Sequence, residues 1–202
     1  MMRRVLVPLA VVALACLLWF WPSMGDDPRP DFGSDVDACK ENLAEIHRGL
    51  LLYEERFGRA PQGSGVAFFA ELIASGVWED TPENRARLTC PGKNAAPVPD
   101  GTGYGDLGAL TGASSAYAGR NSAEHPLVKF PAGGAELEAL VACDNARGMN
   151  HDGALNVLRS DGSIATLSLQ QELERGRIPP GSDRILVGKD SPIPELAKLS
   201  GD

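Results

Sequence analysis

The side chains most able to do chemistry in this sequence are its histidines, cysteines and a group of aspartates. His47, His125 and His151 are the only histidines, and none lies at zinc-ligand spacing from another histidine or from a cysteine. The spacing therefore argues against a zinc site. His47 lies beside the apolar face of a predicted helix, where we expect a partly buried structural histidine.

An oxygen-rich stretch surrounds His151. Asp144, Asp152 and Asp161 offer carboxylates of the kind that calcium takes as ligands, but they lack EF-hand spacing. A solvated loop is the simpler interpretation, and calcium is the only cofactor left open. Asp161 precedes Gly162 in a predicted tight turn, where aspartate is favoured for its local hydrogen bonds, so we expect a structural role for His151 and Asp161.

No recognisable catalytic motif accompanies these residues. The sequence has no Gly-x-Ser-x-Gly elbow, and neither Cys39 nor Cys90 belongs to a Cys-x-x-Cys pair. We therefore predict that the protein is not an enzyme, with an unrecognised hydrolase as the remaining catalytic hypothesis.

The N-terminus has the features of a membrane segment. Arg3 and Arg4 precede an apolar run of 17 residues, Val5 to Trp21, which is at the short end of what spans a bilayer. The positive-inside rule keeps the arginines in the cytoplasm and places the rest of the chain outside it. We predict a single-pass anchor over residues 1–22 in the cytoplasmic membrane; a cleaved signal peptide and a lipoprotein modified at Cys16 are the alternatives.

The remainder is long enough for one domain with a real core. The net charge is −8, with 27 acidic and 19 basic residues, so nucleic acid is not an expected partner. Residues 23–36, rich in aspartate, proline and glycine, are predicted to form a flexible tether. We predict a domain over residues 37–176 and a C-terminal extension over residues 177–202.

Apolar periodicity predicts two helices at the start of this domain. Residues recurring at spacings of three and four indicate a helix over about Asp37 to Phe57, ended by Gly58. A second helix is predicted over Val66 to Ser75. The stretch from 80 to 134 is rich in small residues and is predicted to be mostly loop, with short β structure near Ser115–Tyr117.

The C-terminal part of the domain is predicted to be β-rich. Leu137 to Cys143 is an apolar strand candidate. Ala154–Arg159 and Ile164–Ser168 are joined by a segment containing Asp-Gly, which predicts a hairpin. A short helix over Leu169–Arg175 is expected to follow.

Several short motifs, taken in order, resemble the planctomycete-type prepilin-like proteins. The sequence Cys-Lys-Glu-Asn-Leu begins at Cys39, Phe-Gly-Arg-Ala-Pro begins at Phe57, and Cys-Pro begins at Cys90. Ser-Ala-Tyr-Ala-Gly-Arg-Asn begins at Ser115. Nine residues separate His151 from Asp161-Gly162, and the segment from His151 to Val157 resembles the His-Gly-Gly-x-Asn-Val block of the family's H-X9-DG domain. The motif residues are His151, Asn156, Asp161 and Gly162.

The family is similar to type II secretion pseudopilins. The resemblance implies an α+β head in which an amphipathic helix packs on a small antiparallel sheet. It also implies a structural or protein-interaction role, with other envelope or secretion proteins as partners. A membrane-tethered domain that binds a metal ion or an envelope ligand is the alternative.

The resemblance also bears on the cysteines. Cys39, Cys90 and Cys143 lie outside the apolar segment, and an address outside the cytoplasm permits a disulfide. Three cysteines leave at least one free or paired between chains. The family pattern favours Cys39 with Cys90, and Cys90 with Cys143 is the rival pairing.

The N-terminus departs from the prepilin pattern. Prepilins carry a Gly-Phe-x-x-x-Glu processing site before the apolar segment, and here Met1-Met2-Arg3-Arg4 precedes it directly. The predicted tether also interrupts the long helix of a filament subunit. We therefore expect a pilin-like head on a plain membrane anchor.

Overall fold

The computed structural model describes residues 34–94, 103–131, 137–143 and 146–202, all within one compact unit. The predicted anchor and residues 23–33 of the predicted tether lie outside these ranges. No helix in the described ranges is both long and apolar enough to cross a bilayer. The membrane anchor therefore stays a prediction.

The domain is an α+β structure in which a long helix packs beside a small antiparallel sheet. Helix α1 spans Ser34–Phe57, so it begins three residues before the predicted start and includes the end of the predicted tether. Its buried stripe follows the predicted periodicity through Leu43, Ile46 and Leu50. Gly58 follows the helix with φ of 67°, a conformation that favours glycine.

Three shorter helices complete the α structure of the described residues. Helix α2 spans Val66–Ala74 and α4 spans Leu169–Glu174, each within one residue of its prediction. Helix α3, Pro82–Arg87, falls in the stretch predicted to be loop. Its start has a clear local signal, because Thr81 Oγ1 accepts a hydrogen bond from Asn84 N at 3.2 Å and proline follows Thr81.

Within the described ranges the sheet has five strands in the order β4-β3-β2-β1-β5, with every neighbouring pair antiparallel. The strands are β1 Tyr117–Arg120, β2 Ala139–Cys143, β3 Ala154–Arg159, β4 Ile164–Ser168 and β5 Leu199–Ser200. The predicted β3–β4 hairpin is confirmed at both strands. Strand β2 begins two residues later than predicted, and β1 begins at the last residue of the expected β segment.

The tail contributes directly to this core. Strand β5 pairs with β1, with Leu199 opposite Arg120. Ile185, Ile193 and Leu196 are buried in the main hydrophobic cluster. Residues 177–202, predicted to be an extension, therefore complete one edge of the sheet.

The turn of the β3–β4 hairpin packs against α1 through His47. Gly162 has φ of 85° and donates its N–H to the Arg159 carbonyl at 2.9 Å. The half-buried His47 ring lies edge-on to Phe130, with centroids 6.1 Å apart. Burial lowers the pKa of His47 below its ordinary value, which fits the predicted structural role.

Substituting Gly162 with alanine is expected to lower the free energy of unfolding by about 2–4 kcal/mol. The alanine would have to adopt a left-handed backbone conformation, and its Cβ would lie 2.7 Å from His47 Cε1. Gly176→Ala is the matched control, because Gly176 has φ of 67° with no atom near the added Cβ. We expect that variant to lose only about 1 kcal/mol. Equal losses in urea unfolding would contradict the role of His47 packing.

Candidate metal centre

Four side chains with metal-ligating atoms meet inside the domain. They are Cys39, Cys90, Cys143 and His151, and their ligand atoms all lie within 4.8 Å of one another. All four residues are fully buried. Three thiols and one imidazole form the donor set of the Cys₃His class of zinc sites.

Separate elements bring these ligands together. Cys39 lies in the second turn of α1 on its buried face, and Cys143 is the last residue of β2, opposite Tyr117 of β1. Cys90 follows α3, and His151 precedes β3, where it forms an isolated bridge with Ala154. The cluster therefore joins the helix layer to the sheet.

Close backbone contact holds the Cys90 loop against the His151 loop. Lys93 N donates to the Asn150 carbonyl at 2.8 Å, and Asn94 Nδ2 donates to the Met149 carbonyl at 2.9 Å. A Cβ on Gly92 would lie 2.3 Å from the Asn150 carbonyl oxygen. Glycine at position 92 thus permits the approach that brings Cys90 to His151.

The distances between ligand atoms fit a tetrahedral ion better than a disulfide. Cys90 Sγ lies 3.8 Å from both other sulfurs, Cys39 Sγ lies 3.3 Å from Cys143 Sγ, and Cys90 Sγ lies 3.2 Å from His151 Nε2. Zinc–sulfur bonds of about 2.3 Å give tetrahedral sulfur–sulfur edges of about 3.8 Å. Two of the three sulfur edges have this length, and the shorter one would lengthen on binding.

The same distances bear on the predicted disulfide. The structure has all three cysteines as free thiols, and their sulfurs are 3.3–3.8 Å apart, whereas a disulfide bond is about 2.05 Å long. The structure therefore contains neither the Cys39–Cys90 bond nor its Cys90–Cys143 rival. It does place both members of each pair in one cluster, so the pairing stays a prediction about oxidised protein.

Polar groups surround the ligands. The Tyr117 hydroxyl lies 3.4 Å from Cys39 Sγ and 3.3 Å from the Cys39 carbonyl oxygen. His151 Nδ1, on the far side of the ring from the thiols, lies 2.9 Å from Asp35 Oδ2. Metal-binding residues commonly have such outer contacts, which orient the ligands.

Proton affinities are strongly perturbed at this cluster. Hydrogen bonds from the Cys143 and Cys90 thiols hold the pKa of Cys39 far below its usual range, and burial holds that of Cys143 well above it. Burial lowers the pKa of His151, but contacts with Cys39, Cys90 and Asp35 outweigh it and raise the pKa to about 11. At neutral pH the metal-free cluster therefore holds a Cys39 thiolate beside a protonated His151, and a divalent metal would replace the protons of these groups as the cation.

The other predicted motif residues have structural contacts. Asn156 is buried, donates to the Val36 carbonyl at 3.0 Å and accepts from Thr166 at 2.8 Å. Asp161 is exposed and accepts hydrogen bonds from the N–H and hydroxyl of Ser163. His151 joins the thiols, and its Nε2 lies 3.2 Å from the sulfur of Cys90, a residue 61 positions away along the chain.

The two calcium candidates that the structure describes, Asp152 and Asp161, contact neighbouring protein groups. Asp152 is exposed and forms an ion pair with Lys93, and Asp161 caps its own turn. Asp144 lies outside the described residues. Neither described aspartate belongs to the group of metal-type ligands found in the described ranges.

Sequence reasoning missed the thiol cluster because it tested local spacing. Cys39 and Cys90 are 51 residues apart, and Cys90 and Cys143 are 53 apart. The available signal was compositional: three cysteines in the head domain, with a histidine in its most specific motif.

No protein-family model, no curated protein and no solved structure matches this chain.

Proposed function

We propose that this chain is a non-enzymatic metalloprotein of the cell envelope, in which a Cys₃His centre holds a structural Zn²⁺. The observation that carries the proposal is the convergence of four buried ligand atoms from four segments within 4.8 Å. The donor set is soft and the edges are close to tetrahedral, which favours zinc over calcium or magnesium.

A structural role for the ion follows from the closure of the site. Four protein ligands complete a tetrahedral shell, whereas catalytic zinc sites keep a position for water or substrate. All four ligand residues have no exposed surface, so a substrate has no route to the ion without local opening. The metal would instead join α1 to the sheet.

The proposed setting is the outer side of the cytoplasmic membrane. It rests on the apolar run behind Arg3 and Arg4 and on the resemblance to prepilin-like proteins. The helix-on-sheet head is consistent with a pseudopilin-like protein that acts through contacts with envelope or secretion partners. In this proposal the metal makes the head domain rigid enough to present a fixed surface to its envelope or secretion partners.

Metal loading tests the proposal directly. Detergent-solubilised full-length protein is expected to bind one equivalent of Co²⁺ and to show the intense d–d absorption of a tetrahedral thiolate site, and Zn²⁺ should displace the cobalt. Native mass spectrometry should give one Zn²⁺ per chain. Cys90→Ser should alter the cobalt spectrum and weaken zinc binding, because it removes one thiolate.

The matched control is Cys16→Ser, the same chemical change in the predicted anchor. It should leave the cobalt spectrum and the zinc stoichiometry unchanged. Wild-type protein, purified under reducing conditions, that takes up neither metal would overturn the proposal. A disulfide mapped to Cys39 under those conditions would do the same.

A further inference from the structure

The His151 ring links the thiol cluster to a carboxylate on the opposite side. Its Nε2 lies 3.2 Å from Cys90 Sγ, and its Nδ1 lies 2.9 Å from Asp35 Oδ2. A neutral imidazole carries one N–H, and an ionised carboxylate only accepts hydrogen bonds. When His151 binds a metal it is in this neutral form, and Asp35 then selects the tautomer with its proton on Nδ1, which leaves the Nε2 lone pair for the ion on the side of the thiols.

Asp35 and Cys39 are positioned by the same piece of helix. They are four residues apart in α1 and so lie on one face. Cys39 faces the buried cluster, whereas Asp35 is partly exposed, with 33% of its side chain accessible. Adjacent turns of α1 thus supply both Cys39, a proposed ligand, and Asp35, the hydrogen-bond acceptor of the ligand His151.

A buried asparagine fixes this part of the helix against the sheet. Asn156 Nδ2 donates to the Val36 carbonyl at 3.0 Å, and Asn156 Oδ1 accepts from Thr166 Oγ1 at 2.8 Å. Val36 directly follows Asp35, so this contact sets the position of the carboxylate relative to His151.

We infer that Asp35 is a positioning residue of the metal centre, orienting His151 so that Nε2 is the metal ligand. The inference rests on the proposed function. Loss of such an outer hydrogen-bond partner typically weakens metal binding about 10–100-fold. Asp37 offers a matched comparison, since its side chain is 77% exposed and forms an ion pair with Lys40 at 3.1 Å.

Zinc affinity of the detergent-solubilised full chain tests the assignment. Competition with a chromophoric chelator is expected to show zinc binding about 10–100-fold weaker in Asp35→Ala and nearly unchanged in Asp37→Ala. Asp35→Asn keeps an acceptor for the Nδ1 proton but loses the charge, so it should give an intermediate loss. That variant also serves if Asp35→Ala fails to fold.

A spectroscopic readout separates positioning from general stability. With only three histidines in the chain, ¹⁵N NMR of the imidazoles in zinc-loaded protein can assign each ring. Wild type and Asp35→Asn should show His151 with a protonated Nδ1 and a metal-bound Nε2. In Asp35→Ala the Nδ1–H signal should broaden or vanish through solvent exchange.

Failure of this inference differs from failure of the proposed function. If wild type binds zinc and Asp35→Ala binds it as tightly as Asp37→Ala, the role of Asp35 is overturned and the metal centre stands. Zinc-bound wild type whose His151 ligates through Nδ1 also overturns it. Wild type that binds neither zinc nor cobalt overturns both.

Discussion

Removing zinc from the loaded protein is expected to lower the midpoint of thermal unfolding by about 10 °C. Free metal at 1,000 times its dissociation constant stabilises a folded protein by about 4 kcal/mol. Here the ion would crosslink α1, the Cys90 loop, β2 and the segment before β3, so its loss frees four segments at once. Circular dichroism melts with free zinc buffered at about 1,000 times its dissociation constant and with excess chelator give the difference.

Cys143→Ser gives the matched comparison for this effect. Because Cys143 is fully buried, the substitution will also change the stability of the metal-free protein. The informative quantity is therefore the increase in Tm on adding zinc, which should nearly vanish in Cys143→Ser and persist in Cys16→Ser. Identical melts of wild type with and without chelator would contradict a structural metal.

Local sequence signals were sufficient for α1 and the β3–β4 hairpin. The buried stripe of α1 repeats at about 3.6 residues, and two β-prone runs joined by Asp-Gly predicted the hairpin. The Asp-Gly turn could also be predicted from the sequence, because the hairpin needs a positive φ and Gly162 adopts one. These elements were predicted to within about three residues at their ends.

The candidate metal centre depends on information that no local pattern carries. The Cys90 loop and the His151 loop cross at Gly92. The Asn150 carbonyl lies so close there that a side chain at position 92 would not fit, and this crossing brings Cys90 to His151. Strand β5 was missed for a related reason, since a two-residue strand has no periodicity of its own and exists only by pairing with β1. Both the metal centre and strand β5 depend on contacts between residues far apart in the sequence.

The disulfide prediction grouped two cysteines that the structure brings close together without joining them. Cys39 and Cys90 were grouped by a family resemblance, and their sulfurs do lie 3.8 Å apart. The third thiol and the histidine change the interpretation, because four donors at tetrahedral spacing suit an ion better than one bond. The head has three cysteines, so disulfide pairing within the chain leaves one of them unexplained, and this was the clue to another role.

Replacing Glu138 with alanine is expected to lower the free energy of unfolding by about 3 kcal/mol. The Arg120 side chain is only 2% exposed, and its Nη1 donates to Glu138 Oε2 at 2.7 Å. Arg120 also donates to the carbonyls of His125 and Ala139, neither of which carries a full charge. Among the described residues Glu138 is the one ion-pair partner of Arg120, so removing its carboxylate takes this counter-ion from a buried guanidinium. The effect should lie at the lower end of the usual range because Glu138 is 21% exposed.

An exposed ion pair supplies the control for this variant. Glu45 pairs with Arg48 on the surface of α1, where the arginine side chain is 64% exposed. Glu45→Ala should therefore change the free energy of unfolding by at most about 1 kcal/mol. Urea unfolding of the two variants at pH 7 makes the comparison, and similar losses would contradict a special role for the buried arginine.

The pH dependence of the Glu138 effect follows from the sign of its pKa shift. Burial raises the pKa of Glu138, but hydrogen bonds from Arg120 and Lys198 outweigh this and hold it below its ordinary value. A carboxyl group with a lowered folded-state pKa contributes stability above its unfolded pKa of about 4.3, and this is lost as the pH falls through the folded value. The stability difference between wild type and Glu138→Ala should thus be constant from pH 7 to about 5 and shrink below about 4. A difference that stays constant to pH 3 would show that the carboxylate charge is not its source.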